Sequence, residues 1–568
     1  AQADLLGVLR LQHVEISRAT APFTVDVPAD HAGRGSRSWR TAAAGADRPA
    51  PGGANADSTA APEAERTEPR TFPAGSYIIR MDQPYSRIAD ALLDYQYWAP
   101  DDPQRRPYDD TGWTFPEAFG VKSVRVVDTK VLDAPMEKVG SLTPAGGVLG
   151  NGAVFLINHD GDNALATLRY RFAKVDFQAA EQPFDAAGTH FSRGSFIIRG
   201  VTRGDLDAAT KQLGLKAYAV TAAPDVSTHP LRAARVAILH TWTSTQTEGW
   251  WRMAFDKLDL PYAYISVQDV AKEPDLNGKY DVIIFPPSDR NGLSIIQGMP
   301  MWRNPMPWKH TKETPNIGTW AQTDDVRPGL GWSGLEHLQS FVERGGVLIT
   351  STNTSSFAMD YGLTNGVSGN NPSSRVVGSL LRSRIVDETS PIVYGIPDSL
   401  AIYSDDGASF SMSNTSSGRG FRGFGRGEAG RPTGRGRPGD ADVPQGRPLL
   451  DPKFEAPPAP VVQPWQAAPV TDDMLRNPLN IIPPDQRPRV ALRFGDSRGL
   501  LVSGLLGGGG NDIARRPVVV DVPMQKGHVV MFANNPMWRG ETIGSYFLVF
   551  NTVLNWDHLN AGRTLDER

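Results

Sequence analysis

The side chains whose types suit chemistry lie in three short polar loops, each following an apolar run. The first, His240 to Glu248, carries His240, Trp242, Thr243 and Glu248, with Trp250 just beyond it. The second, Pro286 to Asp289, carries Ser288 and Asp289, and the third, after GVLIT at 346–350, carries Thr352 and Asn353. A histidine, carboxylates, hydroxyls and indoles in converging loops suit recognition of a polar ligand by hydrogen bonding and stacking.

Reactions that need a fixed constellation find little support. A nucleophile elbow is expected at a tight strand-to-helix turn, but the loop Ser351 to Ser355 has no G-x-S-x-G, and the later histidines are only His528 and His558. His528 enters an apolar run and reads as a core residue. The one H-x-x-E, His310 to Glu313, sits in a Pro-rich stretch with nothing helical to fix it and no third ligand at suitable spacing. The adjacent carboxylates Asp109 and Asp110, Asp324 and Asp325, and Asp405 and Asp406 read as turn and cap residues. Asp160 and Asp162 lack the glycine and distal glutamate of a calcium loop, and GLLGGGG (504–510) lacks the Lys-Ser or Lys-Thr of a phosphate loop. Six tryptophans, 242, 250, 251, 302, 308 and 320, fall near the predicted crevice and its insertion, where they either pack a core or stack on a sugar or peptide.

The elements that must position these loops are legible as apolar runs. Val236 to Leu239, Tyr262 to Val267 and Tyr280 to Phe285 have the spacing of strands in a parallel sheet, and a helix containing Trp250, Met253, Ala254, Lys257 and Leu258 links the first two. A ligand of such a sheet sits beyond the carboxyl ends of its strands. LEHLQSFVERGG is a helix with Leu335, Leu338, Phe341 and Val342 inward, and GVLIT is the next buried strand. VALRFG, GLLVSG, PVVVDVP and GHVVMFANN, then the helix SYFLVFNTVLNW, complete the sheet.

Upstream, Leu5, Leu6, Leu9 and Leu11 form a short helix, followed by strands in VEISRA and FTVDV. GSYIIR (75–80) precedes a helix bearing Ile88, Leu92 and Tyr95. GSFIIR (194–199) precedes another helix, so an internally duplicated domain is expected over 73–228, with further strands in SVRVVD and GAVFLINHD and a helix in DNALATLRYRF. Residues 28–72 have almost nothing to bury and read as a low-complexity linker. A second such tract, with spaced Arg-Gly pairs, occupies 411–470 and reads as a solvated insertion whose charges largely cancel.

Composition bounds the function. The 568 residues require two or three domains, and 40% hydrophobic and 21% charged residues describe a globular protein. A net charge of −4 provides no overall field for nucleic acid or an anionic membrane. Cysteine is absent, which excludes disulfides, thiolate metal sites and a cysteine nucleophile. No apolar run approaches the roughly 18 residues of a membrane span. The start, AQADLLGVLRLQ, reads as a helix entered in mid-domain, so the chain is expected to begin where a longer precursor was cut.

GSYIIRMDQPYSRIADALLDYQYWAPDDPQRRPYDDTGWTF with VKSVRVVD, VAILHTWTSTQTEGWWRMAFDKL, NPMPWKHTKETPNIGTWAQTDDVRPGLG and GHVVMFANNPMWRGETIGSYFLVFN together resemble the region downstream of the peptidase domain in large bacterial proteins of the M14 zinc carboxypeptidase family. The likeness covers most of the chain. It implies a C-terminal α/β domain similar to class I glutamine amidotransferase folds, in an exported protein found outside the cell or in the periplasm. The family's zinc motif would precede residue 1 and nothing here matches it, so no metal ligand or catalytic residue is carried over. The amidotransferase cysteine is missing as well, which leaves the fold without its original chemistry.

The fold expected is therefore α/β. Residues 1–27 form a helix and strand remnant, 73–228 a β-rich α+β domain with an internal repeat, and 229–568 an open, mostly parallel flavodoxin-like sheet with insertions at 288–332 and 411–470. The function expected is a non-catalytic accessory part of the carboxypeptidase-like protein, serving substrate positioning, folding support or association. A self-assembling fibre or surface-layer protein and a carbohydrate-binding module are the alternatives. The expected partners are an upstream peptidase domain or other copies of the chain, with a peptide or glycan ligand, no nucleic acid and no membrane span. No cofactor is expected in this chain, with zinc only in an upstream peptidase domain.

Overall fold

The computed structural model describes residues 1–28, 67–98, 107, 110–288, 291–302, 304–413 and 481–564. Asp289 and the Arg-Gly tract from 414 to 480 lie outside the described residues. The architecture is mixed α/β, built on a six-stranded and a ten-stranded sheet with smaller sheets beside them.

The six-stranded sheet contains β1 (Gly147–Gly150), β2 (Val154–Ile157), β3 (Asp176–Ala180), β4 (Phe196–Arg199), β5 (Lys216–Val220) and β6 (Thr228–Pro230). Their order is β6-β3-β4-β2-β5-β1, antiparallel except for β5 with β1. Both faces are apolar. Phe155, Ile157, Phe177, Phe196 and Ile198 join the main core, while Leu156, Phe184, Phe191 and Ile197 pack a separate one.

The ten-stranded sheet contains β7 (Val236–His240), β8 (Ala263–Ser266), β9 (Val282–Phe285), β10 (Val347–Ser351), β11 (Ser379–Ile385), β12 (Ser399–Ser404), β13 (Arg489–Phe494), β14 (Leu501–Ser503), β15 (Pro517–Met524) and β16 (Gly527–Phe532). Its order is β8-β7-β9-β10-β16-β15-β13-β11-β12, with β14 beside β11. The first five strands run parallel. In chain order they lie 2-1-3-4-5, so the connections leave in opposite directions on either side of the gap between β7 and β9. Every residue of β7, β9, β10 and β16 is buried, because helices cover both faces and leave no position for an alternating polar face. The sheet is not mostly parallel. A hairpin turns the chain from β15 into β16, and β15, β13, β11, β12 and β14 are antiparallel to their neighbours.

Helix α1 (Gln2–Leu11) buries Leu5, Leu6 and Leu9, and α2 (Ser86–Leu93) follows the first GSYIIR. Helices α3 (Ala164–Arg171) and α4 (Arg203–Leu213) lie beside the smaller sheet. Around the larger sheet are α5 (Gln246–Lys257), α6 (Val267–Lys272), α7 (Gly292–Gln297), α8 (Gly331–Glu343), α9 (Asn353–Asp360) and α10 (Tyr546–Leu554). The inward face of α5 is Glu248, Trp251, Ala254 and Phe255. Met253 faces out and Trp250 is only partly buried, so the register expected from the sequence is turned by about one residue. All nine residues of α10 are buried. Asn551 on α10 bonds His159 at 3.0 Å, and Asn555 just past its end bonds His229 at 2.8 Å, which ties both histidines of the smaller-sheet region to this helix.

The segments around GSYIIR and GSFIIR make the same local connections. Gly75 N donates to Ala19 O at 2.8 Å and Gly194 N to Ala180 O at 2.7 Å. Ala19 N and Ala180 N donate back to Ser76 O and Ser195 O. Ser76 Oγ donates to Pro73 O, as Ser195 Oγ does to Ser192 O. Each segment follows a hairpin closed by stacked phenylalanines, Phe23 on Phe72 with centroids 5.2 Å apart and Phe184 on Phe191 at 4.9 Å. The pairing of Met136–Lys138 with Ser17–Ala19 has the register of β6 with β3.

Three further expectations are corrected here. Pro28 and Thr67–Phe72 are not linker but the facing ends of a β-ladder, held by cross-strand pairs such as Thr24 with Thr71. SVRVVD forms no strand, since residues 123–128 have no ladder partner. Within the second tract, Ser411 and Met412 end the strand Ser409–Met412. Among the described residues no helix is long and apolar enough to cross a membrane.

The two glycines of the matched turns separate backbone strain from packing. Both have positive φ, 91° and 86°, but a Cβ on Gly75 meets nothing within 4 Å while one on Gly194 meets the buried Tyr394 side chain at 2.6 Å. Gly75→Ala should therefore cost about 1–2 kcal/mol from strain alone, and Gly194→Ala about 3 kcal/mol or more. Urea unfolding of the two variants checks this; equal losses would contradict it.

Candidate functional site

At the carboxyl end of β7, His240 is buried, and its ring lies flat on Tyr264 of β8 with centroids 4.1 Å apart and 13° between the planes. Trp242 meets His240 edge-on at 4.9 Å. On the far side of Tyr264 the Arg252 guanidinium from α5 sits 4.1 Å from the ring, and Trp320 covers Arg252 at 4.5 Å. These four planar groups, Trp320, Arg252, Tyr264 and His240, form one stacked column. Trp320 comes from the insertion after β9. That insertion is held to α6 by Gln268, which donates to Asp325 O at 2.7 Å and accepts from Thr323 Oγ1 at 2.8 Å.

Glu248, in the first turn of α5, is 2% exposed and accepts a hydrogen bond from the Tyr264 hydroxyl at 2.6 Å. Burial pushes its carboxyl up to about 7, opposed in part by the tyrosine bond and the Arg252 charge. Burial pushes His240 the other way, down to about 4, so its ring is neutral at physiological pH. Desolvation thus holds His240 neutral and favours the protonated form of Glu248, with Arg252 engaged in the aromatic stack.

The switch between β7 and β9 is bridged by hydroxyls, with Thr241 Oγ1 3.5 Å from Ser288 Oγ. Asn353 Oδ1 accepts from Ser288 N at 2.9 Å, which joins the loops after β9 and β10. Thr352 holds φ 52° and ψ −118°, a strained conformation for a β-branched residue, at the turn from β10 into α9. The sharp strand-to-helix elbow is therefore present without its sequence motif, and a threonine occupies its apex. Ser351 is buried beneath it and donates to Asn534 O at 2.8 Å.

Several buried polar atoms at this edge have no hydrogen-bond partner among the described residues: His240 Nε2, Trp242 Nε1, Glu248 Oε2 and both side-chain atoms of Asn534. Leaving such atoms unpaired costs about 1–3 kcal/mol each, and five of them fall at this edge of the sheet.

Of the residues expected from the sequence, His240, Trp242 and Glu248 share one cluster, and Ser288, Thr352 and Asn353 line the adjoining loops. Thr243, partly buried, lies in the turn after Trp242. Trp250 packs against the core instead, and Trp251, one position on, takes the inward place and donates to Asn535 Oδ1 at 3.2 Å. Tyr264, Arg252 and Asn534 were not expected, while Trp320 was among the six tryptophans expected near the crevice. The signal for Asn534 was available, since it follows a parallel strand just as the three recognised loops do. His310 Nδ1 donates to Pro315 O on an exposed loop, and no group of three or more metal-ligating side chains occurs among the described residues. His528 is a buried core residue bonded to Asp521 at 2.7 Å.

No family model matches the sequence, and no curated protein matches it. Among solved structures the chain is similar to a cytoplasmic protein of Salmonella typhimurium, with 12% identity, 56% of this chain and 97% of that one covered, and a TM-score of 0.26. It is similar to a ThuA-like protein of Bacteroides uniformis at 10% identity, covering 59% and 95%, with a TM-score of 0.26. A β-galactosidase of Bacillus circulans aligns at 10% identity over 57% of this chain and 31% of the enzyme, with a TM-score of 0.24. Scores of this size lie below the level at which two chains share a fold.

The opposed shifts of Glu248 and His240 predict a measurable pH response. A raised carboxyl contributes stability that is complete below the ordinary glutamate range and lost as pH rises to about 7; a depressed histidine contributes stability that is complete above the ordinary histidine range and lost as pH falls to about 4. His159, also lowered to about 4 by burial, adds to the second slope. In the parent these slopes offset each other. Glu248→Gln removes one, so its stability relative to the parent should increase by about 1–3 kcal/mol between about pH 5 and pH 7. Urea midpoints across that range test this, and parallel profiles would contradict it.

Proposed function

We propose that the chain is a recognition module whose crevice, at the carboxyl ends of β7 to β10 and β16, takes a neutral, hydroxyl-rich small molecule of the carbohydrate class. The observation that carries this reading is the set of unpaired buried atoms on His240, Trp242, Glu248 and Asn534 beside the Tyr264 and Trp242 rings. A carboxyl raised to about 7, a neutral imidazole, an indole N–H and a carboxamide present both donors and acceptors, as a polyol requires, while the Trp242 ring suits its C–H face. An anion would not find Arg252 free to meet it, because its guanidinium is sandwiched between two rings.

In this reading the sheet is of the flavodoxin and glutamine amidotransferase type, retained for binding, and the matched turns at Gly75 and Gly194 belong to two copies of one duplicated unit. The strand order of β7 to β10 and β16 supports the first point and the equal hydrogen bonds support the second. The module acts as an accessory part of a larger exported protein of the carboxypeptidase-like kind, as the resemblance of its sequence implies.

Titration with a panel of mono- and oligosaccharides, followed by tryptophan fluorescence, tests the binding. Saturable quenching is expected for at least one glycan, with Trp242→Phe reducing its amplitude and Glu248→Ala weakening affinity at least tenfold, or about 1.4 kcal/mol. No saturable quenching across the panel, or undiminished affinity in Glu248→Ala, would refute the reading.

A further inference from the structure

The opposite edge of the larger sheet holds a polar cavity, of about 320 Å³, lined by Glu181, Lys526, His528, Trp556, His558 and Asn560 among others. It opens where three parts of the chain meet: the end of β3, the turn between β15 and β16, and the segment after α10. Cavities between packed units are common ligand sites. At roughly 30 Å³ per water, its volume is that of about ten waters, enough for a ligand of about ten heavy atoms.

Its lining has a definite electrostatic pattern. Glu181 uses one carboxylate oxygen on His229 Nδ1 at 3.0 Å, and its second oxygen has no hydrogen bond among the described residues. Lys526 makes no ion pair among the described residues, and only its backbone N–H is bonded, to Glu343 O. The Trp556 indole N–H is buried with no acceptor. The histidines are held from behind: His528 by Asp521 at 2.7 Å and His558 by Asp557 at 2.9 Å, and Asp557 also lies 3.3 Å from Arg232. Asp557 is paired with Arg232 and Asp521 with His528, while Oδ2 of each has no hydrogen bond among the described residues. Beside the Asp557 carboxylate, which Arg232 pairs, the cavity offers the Glu181 carboxylate, one ammonium, an indole donor and an aromatic wall.

We infer that this cavity binds a free α-amino acid, its ammonium group at Glu181, its carboxylate at Lys526 and the Trp556 N–H, and its side chain along the indole. A ligand with a single charge would leave one of the two opposed groups unmet, whereas a zwitterion satisfies both across a gap of this size. The site is separate from the crevice and stands whether or not the crevice binds a glycan.

Calorimetric titration of the full chain with L-leucine and L-phenylalanine, and with their N-acetyl and amide derivatives, tests the assignment. Saturable one-to-one heat is expected for at least one free amino acid, with either blocked form at least tenfold weaker. Lys526→Met should erase the preference for the free carboxylate, and Glu181→Gln the preference for the free amine. Each change must leave thermal unfolding near the parent's, and Glu248→Gln should bind as the parent does. Absence of saturable heat, equal binding of blocked and free forms, or loss in Glu248→Gln alone would overturn the inference.

Discussion

Five parallel strands covered on both faces impose the constraint from which the rest follows. Parallel strands all end at one edge, so the groups that cannot join the ladder collect there, and the covering helices keep water from them. Glu248 shows the consequence: its place in the first turn of α5 suits a negative charge, yet burial raises its carboxyl to about 7 beside the Tyr264 hydroxyl. His240, two strands from the elbow at Thr352, is held neutral by the same exclusion of solvent.

The loop after β8 shows why only some strand ends contribute. There Ser266 and Asp269 satisfy each other in a capping box at the start of α6, so their polar atoms are committed to the helix. After β7, β10 and β16 no such cap consumes the polar side chains. Arg252 and Trp320 extend the stack on Tyr264, and the insertion that carries Trp320 is anchored on α6 through Gln268. On the opposite edge α10 performs the complementary task, since Asn551 and Asn555 tie the histidines of the smaller-sheet region to the larger sheet and bring Glu181 to the polar cavity.

Much of this was legible in the sequence because burial on both faces writes itself as continuous β-branched runs. Val282–Phe285 and Val347–Ser351 are examples, and the loops that follow them were found by the same rule. The antiparallel half was not legible, because Pro517–Met524 and Gly527–Phe532 read alike whichever way they run, and a two-residue turn alone reverses the direction. Nor was the stacked column. Tyr264, Arg252 and Trp320 come from a strand, a helix and a distant insertion, and no local spacing links them. The equivalence of the two GSxIIR turns was visible, but not that the hairpin before the first of them brackets the low-complexity residues 29–66, because composition conceals the paired ends.

The central claim is that the unpaired atoms at the strand ends are completed by a hydroxyl-rich ligand. A crystal structure of the protein soaked with the tightest-binding saccharide tests it most directly. The account predicts ligand oxygens within hydrogen-bond distance of Glu248 Oε2 and His240 Nε2, with the sugar face against Trp242. Those atoms bonded instead to other groups of the protein, with the saccharide elsewhere or absent, would contradict it.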